Sequence, residues 1–141
     1  MQHVFANRSV AGAGLADALA ESASERPDPV VFALPRGGVP VALEIARALD
    51  APLELVLVRK IGVPGQPELA AAAVVDGDSP QMVVNDEIVR ATGMSTSELA
   101  AARDAQLREI ARRRAAWLGD RAPVDVTGRD AIVVDDGIAT G

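Results

Sequence analysis

Three short apolar runs, at residues 30–34, 53–58 and 131–134, constrain the fold of this chain most strongly. Such runs, rich in valine and leucine, are typical of strands buried on both faces of a parallel sheet. A helical pattern over residues 41–49 separates the first two runs, as in a β-α-β unit. A second long helical pattern precedes the third run. The order of elements predicts an α/β fold with a parallel central sheet.

The N-terminal part of the chain is predicted to form a helix. Ser9 is a plausible N-cap, and residues 11–21 have a helical composition. The core-facing side chains of this segment are expected to be Leu15, Ala18 and Leu19.

A small β excursion is predicted to follow the second run. Residues 62–68 contain Gly and Pro at short spacing, which indicates a flexible loop. Short antiparallel strands are expected over residues 69–75 and 82–84. Asn85 or Asp86 would then cap a short helix that ends near Gly93.

The longest helix is predicted to begin after Ser95 and to end near residue 118. Ser95 and Glu98 have the spacing of a capping box. Arg112-Arg113-Arg114 lies within this helix. We interpret it as a solvated helix face, because the formal net charge of −6 argues against a polyanionic partner.

Length and composition exclude several classes of protein. The 141 residues predict a single domain over residues 1–141. The acidic charge balance and the scarcity of aromatic residues predict no nucleic-acid binding. The absence of cysteine excludes thiol catalysis and thiolate metal sites, and His3 is the only histidine. No apolar run approaches the roughly 20 residues of a membrane helix, so we expect a cytoplasmic protein without a membrane partner.

The segment after the third apolar run carries the strongest functional signal. Asp135 and Asp136 would lie at the carboxyl end of a strand, where open α/β sheets bind ligands. Paired carboxylates there suit hydroxyl donors such as those of a ribose. The loop Gly137-Ile138-Ala139-Thr140-Gly141 offers backbone N–H groups and a hydroxyl to a phosphate. The alternative is a solvated polar turn at the end of a strand.

A second loop supports the first. Arg36, Gly37 and Gly38 follow the first apolar run and open a helix. The glycines let the backbone approach a ligand, while the helix N-terminus and Arg36 favour an anion. The alternative is an ordinary Pro-Gly turn. Since the first and third strands are expected to be neighbours, both loops would lie at one edge of the sheet.

Residues 133–141 resemble the ribose-phosphate signature of type I phosphoribosyltransferases. The resemblance implies that Asp135 and Asp136 hold the ribose hydroxyls, that Gly137-Ile138-Ala139-Thr140-Gly141 holds the 5-phosphate, and that residues 35–38 form the diphosphate loop. The pattern of Phe5, Arg8 and residues 59–68 resembles a poorly characterised branch of predicted members. Ala139 stands where many purine-type members carry an acid, which argues against a purine acceptor.

The resemblance also assigns candidate catalytic residues. Arg59 and Lys60, at the expected end of the second strand, would contact the diphosphate; the alternative is a solvated strand end. Lys60 is the only lysine. The loop at residues 62–68 falls where the family has a mobile flap. Glu68 within it could act as an acid or a magnesium ligand, although a surface charge is the simpler interpretation.

The expected activity is phosphoribosyl transfer from 5-phosphoribosyl 1-diphosphate to a nitrogenous base that the sequence does not identify. Mg²⁺ would be held mainly by substrate and water, with no metal site built from protein side chains. The alternatives are a non-catalytic sensor of the same sugar phosphate and an interaction domain without the ligand. A homo-oligomer is expected. The resemblance further implies that the family sheet continues beyond Gly141 with more strands and helices.

Overall fold

A computed structural model describes residues 4–22 and 25–138 of the chain. These residues form four helices and six strands: α1 (Arg8–Ala20), β1 (Val30–Ala33), α2 (Gly38–Leu49), β2 (Leu53–Leu55), β3 (Val58–Val63), β4 (Gln66–Val75), β5 (Gln81–Val84), α3 (Asp86–Thr92), α4 (Thr96–Leu118) and β6 (Ala131–Val134). They divide into two compact units. The first comprises residues 1–56 and 122–141, and the second comprises residues 57–121. A single domain over residues 1–141 stays a prediction.

The first unit is built on a parallel sheet with the strand order β2-β1-β6. Val31 of β1 is in register with Leu53 of β2 and with Ile132 of β6. The predicted α/β class and parallel sheet are confirmed, and β1 and β6 are neighbours as expected. The loops after these two strands therefore emerge at the same edge of the sheet.

Helix α2 packs on this sheet through the predicted apolar face. Val41, Ala42 and Ile45 are each no more than 2 % exposed, and they form one core cluster with Val31 and other residues of the sheet. The αL conformation of Asp50 ends the helix, and its backbone N–H donates to carbonyl oxygens of the last turn.

Helix α1 differs from its prediction in its cap and its buried face. Asn7, not Ser9, is the N-cap, and its side chain accepts a hydrogen bond from Val10 N. Gly12 and Ala16 are buried, whereas Leu15 is 44 % exposed. A Cβ atom on Gly12 would lie 2.6 Å from Val41 O, so α1 approaches the backbone of α2 too closely for larger side chains at this point. The predicted core positions Leu15 and Ala18 are wrong for this reason, while Leu19 packs against the core.

Strand β6 has one buried and one open face. Val134 is buried and Ile132 packs against the core cluster, but Val133 is 62 % exposed. The exposure of Val133 shows that the prediction of a strand buried on both faces is wrong for β6, which is an edge strand within the described residues. In β2, the carboxylate of Glu54 is buried and accepts a hydrogen bond from Val124 N (2.9 Å), which ties the segment before β6 to the sheet.

The second unit contains an antiparallel sheet with the order β3-β4-β5. Two predictions are wrong here. The predicted strand over residues 53–58 ends at Leu55, and Arg59 and Lys60 lie within β3 rather than at the end of β2. The predicted flexible loop at residues 62–68 is a β-hairpin, because β3 and β4 pair across it and Gly65 takes the positive φ of 79° that the turn requires. The strands predicted after it are confirmed.

The two helices of this unit begin and end where the sequence predicts. Asn85 caps α3, and Gly93 ends it in the αL conformation. Ser95 and Glu98 form both hydrogen bonds of the capping box at the start of α4. Leu99 and Ile110 of α4 are buried, while Trp117 is 40 % exposed. None of the helices in the described part of the chain is long and apolar enough to cross a membrane.

Candidate functional site

The two predicted ligand loops meet at the carboxyl edge of the parallel sheet. Leu34 N, just after β1, donates a hydrogen bond to Val134 O, the last residue of β6 (2.9 Å). Gly38 N in turn donates to Leu34 O (3.0 Å), which starts α2 directly behind the strand. The structure thus brings residues 35–38 beside Asp135 and Asp136, although about a hundred residues separate them in the chain.

Gly37 and Gly38 allow this close approach. A Cβ atom on Gly37 would overlap the Asp136 carboxylate, and its Oδ1 atom would be 2.8 Å away. A Cβ atom on Gly38 would lie 2.7 Å from Val134 O and 3.1 Å from Asp135 Cα. A side chain at Gly38 would separate α2 from the end of β6, so the packing of the backbone requires this glycine. A side chain at Gly37 would instead displace the Asp136 carboxylate.

The acid pair is accessible to solvent. Asp135 and Asp136 follow the buried Val134 and are both exposed. Asp136 N donates a hydrogen bond to Asp135 Oδ1 (2.8 Å), so the first carboxylate turns back on the backbone of the second. The pair lies at the strand end where the sequence predicts ligand contacts.

Arg8, the first residue of α1, is an additional residue of this site. Its Nε and Nη2 atoms donate hydrogen bonds to Asp136 Oδ2, at 2.9 and 2.6 Å. This guanidinium holds the pKa of the Asp136 carboxyl below its usual range. In the sequence Arg8 stands out only as part of a resemblance, which assigns it no role. No local pattern could have done so, since the two residues lie 128 positions apart.

The remaining predicted ligand residues of the first unit lie around this pair. Arg36 is exposed, its peptide bond with Pro35 is cis, and its carbonyl oxygen accepts a hydrogen bond from Val39 N (3.2 Å). Gly137 and Ile138 are exposed after Asp136. Ala139, Thr140 and Gly141 lie outside the described residues, so their predicted contacts with a phosphate stay predictions.

Arg59 and Lys60, the predicted catalytic residues, belong to the second unit. Arg59 is half-buried, and its Nε donates a hydrogen bond to Gln106 Oε1 of α4 (2.8 Å). Side chains alternate along a strand, so Lys60 projects from the other face of the sheet. There it lines an open concavity of about 470 Å³ together with residues of β4, β5 and the start of α3. Because they project from opposite faces of the sheet, the Arg59 and Lys60 side chains would not contact the same group of a ligand.

Two further features of the sequence concern metals and the predicted flap. Glu68 is exposed near the start of β4. Among residues 4–22 and 25–138, no group of three or more His, Cys, Asp or Glu side chains is placed to hold a metal ion. A divalent cation at the acid pair would thus depend on ligands other than a cluster of protein side chains.

Comparison with known proteins identifies the family of this chain. Residues 7–141 match the family model described as the phosphoribosyl transferase domain. The match covers nearly the whole chain, including α1, the loop after β1 and the acid pair. The chain belongs to the phosphoribosyl transferase family.

Relatives support this assignment. Two Mycobacterium tuberculosis proteins, from strains CDC 1551 and H37Rv and each named a "putative phosphoribosyl transferase", are 46 % identical to the chain over 138 residues. The match covers 98 % of this chain and 30 % of each relative, so the chain spans less than a third of their length. The crystal structure of TT1426 from Thermus thermophilus is 40 % identical, with a TM-score of 0.64, over 94 % of this chain and 61 % of that one.

Proposed function

We propose that the chain binds 5-phosphoribosyl 1-diphosphate at the edge formed by residues 35–38 and the pair Asp135 and Asp136, and transfers its phosphoribosyl group to a nitrogenous base. Membership of the phosphoribosyl transferase family supports the type of reaction. The observation that carries the assignment of the site is the close approach of Gly37 and Gly38 to the acid pair. It joins a loop suited to anions with carboxylates suited to hydroxyls.

Each part of the proposed ligand has a matching chemical group. The carboxylates of Asp135 and Asp136 would accept hydrogen bonds from the ribose 2- and 3-hydroxyls. The N-terminus of α2 carries a partial positive charge that favours the diphosphate, and Arg36 adds a bidentate donor. The 5-phosphate would be bound by residues 137–141.

In the proposed reaction, the bond between C1 of the ribose and the diphosphate oxygen breaks, and the diphosphate leaves with the electron pair. A nitrogen of the acceptor supplies the electron pair of the new bond to C1 and then loses a proton to solvent. Positive charge develops at C1 in the transition state. The chain would accelerate the reaction by positioning the ribose and stabilising the charge of the leaving diphosphate.

Mg²⁺ fits this arrangement as a substrate-bound ion. The exposed carboxylates of Asp135 and Asp136 are oxygen ligands of the kind that Mg²⁺ accepts, directly or through hydroxyls and water. When bound, the ion would neutralise part of the charge of the diphosphate. Its ligands in this proposal come mainly from substrate and water, with the protein carboxylates orienting the ribose.

Isothermal calorimetry with 5-phosphoribosyl 1-diphosphate and Mg²⁺ tests the proposal. We expect saturable binding to the chain, and release of diphosphate when the correct base is supplied. Absence of binding over the millimolar range would reject both the substrate and the site. Ribose 5-phosphate and inorganic diphosphate, titrated separately, would show which half of the ligand the chain binds.

A second candidate function is a sensor that binds the sugar phosphate without turning it over. The hydrogen bond from Arg59 to Gln106 favours it, because one of the two residues proposed for the leaving group is occupied within its own unit. If the chain binds 5-phosphoribosyl 1-diphosphate but releases no diphosphate in the presence of any common purine, pyrimidine or pyridine base, the result would support the sensor. Release with even one base would support the transferase.

A further inference from the structure

We infer that Arg8 is a positioning residue for the ribose site: it holds the Asp136 carboxylate, by one oxygen, in the orientation that receives a ribose hydroxyl at the other. The inference rests on the proposed function, since it assigns Asp136 to the ribose. It adds Arg8, which lies far from Asp136 in the sequence, to the residues of the predicted ligand loops. The contact consists of two hydrogen bonds from one guanidinium, at 2.9 and 2.6 Å.

The choice of oxygen favours positioning over competition with the ligand. Both donors of Arg8 contact Asp136 Oδ2, which is also the atom nearest to the position that a Cβ atom on Gly37 would occupy. Arg8 therefore holds the oxygen that faces the loop at residues 35–38. Oδ1 receives neither of these two hydrogen bonds, and the Asp136 side chain is 33 % exposed, so a hydroxyl can reach this carboxylate from solvent.

The fold fixes Arg8 where this contact is made. The Asn7 side chain caps the first turn of α1 by accepting from Val10 N (2.9 Å), which sets the backbone of Arg8. One turn later, Gly12 brings α1 against the backbone of α2 at Val41. Helix α2 itself starts beside the acid pair, where Gly37 abuts Asp136 and Gly38 abuts Asp135. Two close approaches thus connect Arg8, α2 and the acid pair within the first unit.

This contact contributes little to the stability of the fold. The Arg8 side chain is 59 % exposed, and ion pairs this exposed stabilise proteins weakly. An arginine at a helix start is also unfavourable toward the helix dipole. Its value lies in orienting Asp136. Loss of Arg8 should therefore change ligand binding far more than it changes the melting temperature.

The test compares two probes on the same variants. Ribose 5-phosphate presents the hydroxyls, whereas inorganic diphosphate has none, and both are titrated in the presence of Mg²⁺. We expect Arg8→Ala to lower the affinity for ribose 5-phosphate, relative to the affinity for diphosphate, by about tenfold. This is the scale of one charge-assisted hydrogen bond. Arg8→Lys retains the charge but not the two-donor geometry, so it should restore only part of this ratio.

Arg47→Ala is the matched control. Arg47 belongs to the same unit, is 68 % exposed and pairs with Glu44 at 3.7 Å, so the variant removes the same charge without touching Asp136. It should leave both affinities within about twofold, as expected for an exposed pair. Melting curves of all three variants should stay within a few degrees of the parent, in keeping with the small effect of surface substitutions.

The pH dependence adds a readout that a purely structural role would not change. Without Arg8 the pKa of Asp136 should rise toward its ordinary value, so ribose 5-phosphate binding by Arg8→Ala should weaken at a higher pH than binding by the parent. Asp135 beside Asp136 and Arg36 in the facing loop are common to both proteins. The titration of the ligand is also common, so the difference between the curves reports Arg8.

Each other outcome overturns the inference in its own way. An equal loss of affinity for both probes would make Arg8 a direct anion contact. Tighter binding of ribose 5-phosphate by Arg8→Ala would make Arg8 a competitor of the ligand. Unchanged affinities would give it no role in binding. If the parent chain binds diphosphate but no ribose 5-phosphate, the assignment of Asp136 to the ribose has failed, and the proposed function fails with it before any variant is compared.

Discussion

Gly37 contributes to the site through the side chain that it lacks. The loop at residues 35–38 lies so close to β6 that a Cβ atom on Gly37 would overlap the Asp136 carboxylate. Backbone or carboxylate would have to move to admit it. Since Asp136 is the proposed ribose contact, glycine at position 37 links the packing of the loop to the orientation of the Asp136 carboxylate.

We predict that Gly37→Ala weakens ribose 5-phosphate binding by at least about tenfold, because misplacement of a contacting group by about 1 Å carries penalties of this order or more. Gly14→Ala is the control. The new Cβ atom there would meet only the ring of Phe5, at 3.3 Å. Calorimetry on both variants checks the prediction, and equal affinities for Gly37→Ala and the parent would contradict it.

At the residue scale the sequence predicts the polar groups but not their partners. Asp135, Asp136, Gly37 and Gly38 follow apolar runs, and their placement depends only on parallel strands ending at one edge. The contact between Arg8 and Asp136 depends on the path of α1 across α2, which leaves no periodic pattern in the sequence. Likewise, the bond between Arg59 and Gln106 joins residues 47 positions apart.

At the scale of elements, α4 carries a network that makes a pH prediction. Arg112 and Arg113 donate hydrogen bonds to the Glu109 carboxylate, and they lower its pKa from 4.5 to about 2. A carboxyl whose pKa is lowered in the folded state stabilises that state above its unfolded pKa. The contribution is lost as the pH falls through the folded value.

We therefore predict that Glu109→Gln melts at a lower temperature than the parent at neutral pH, and that the difference shrinks between pH 4.5 and about 2. The effect should be small and should decrease in about 1 M salt, because the pairs are partly exposed to solvent. Melting curves as a function of pH measure it. A difference that stays constant across this range would show that the network does not act through the charge of Glu109.

The elements with strong local signals were predicted well. Helix α2 has a one-sided apolar pattern, and α4 has the capping box at Ser95 and Glu98. The error at residues 53–68 has a physical cause: the apolar run continues past Leu55, and nothing in it marks where the chain leaves the parallel sheet. Gly62 and Gly65 indicate a loop locally, yet cross-strand pairing of β3 with β4 makes the segment a hairpin.

At the scale of the whole molecule, the predicted ligand residues and the predicted catalytic residues fall in different compact units. The acid pair belongs to the first, and Lys60 belongs to the second. We predict that Lys60→Ala lowers the rate of diphosphate release at least about tenfold, an order typical of lost leaving-group stabilisation. It should leave ribose 5-phosphate affinity near that of the parent.

Steady-state kinetics with a responsive base would test the role of Lys60. Lys60→Arg keeps the charge and should recover part of the rate, although the geometry of the donor differs. Full activity of Lys60→Ala would remove Lys60 from the reaction and leave the first unit as the site of the ligand. Weaker ribose 5-phosphate binding would instead assign Lys60 to the ribose or its phosphate.

The α/β class could be predicted for the whole chain because it depends on the order of strands and helices alone. The division into two units could not, because the sequence has no linker or change of composition at residues 56–57 or 121–122. The units are defined by which strands pair, parallel in one and antiparallel in the other. That pairing is a long-range property that single segments do not encode.

Ribose 5-phosphate binding by the double variant Asp135→Asn, Asp136→Asn tests most directly whether the acid pair binds the ribose hydroxyls. The change preserves the shape of both side chains but removes the charged oxygens that would accept hydrogen bonds from the hydroxyls. We predict that calorimetry detects no binding while the far-ultraviolet circular dichroism of the chain stays at the parent level. Binding at parent affinity, or loss of the helical signal together with binding, would contradict it.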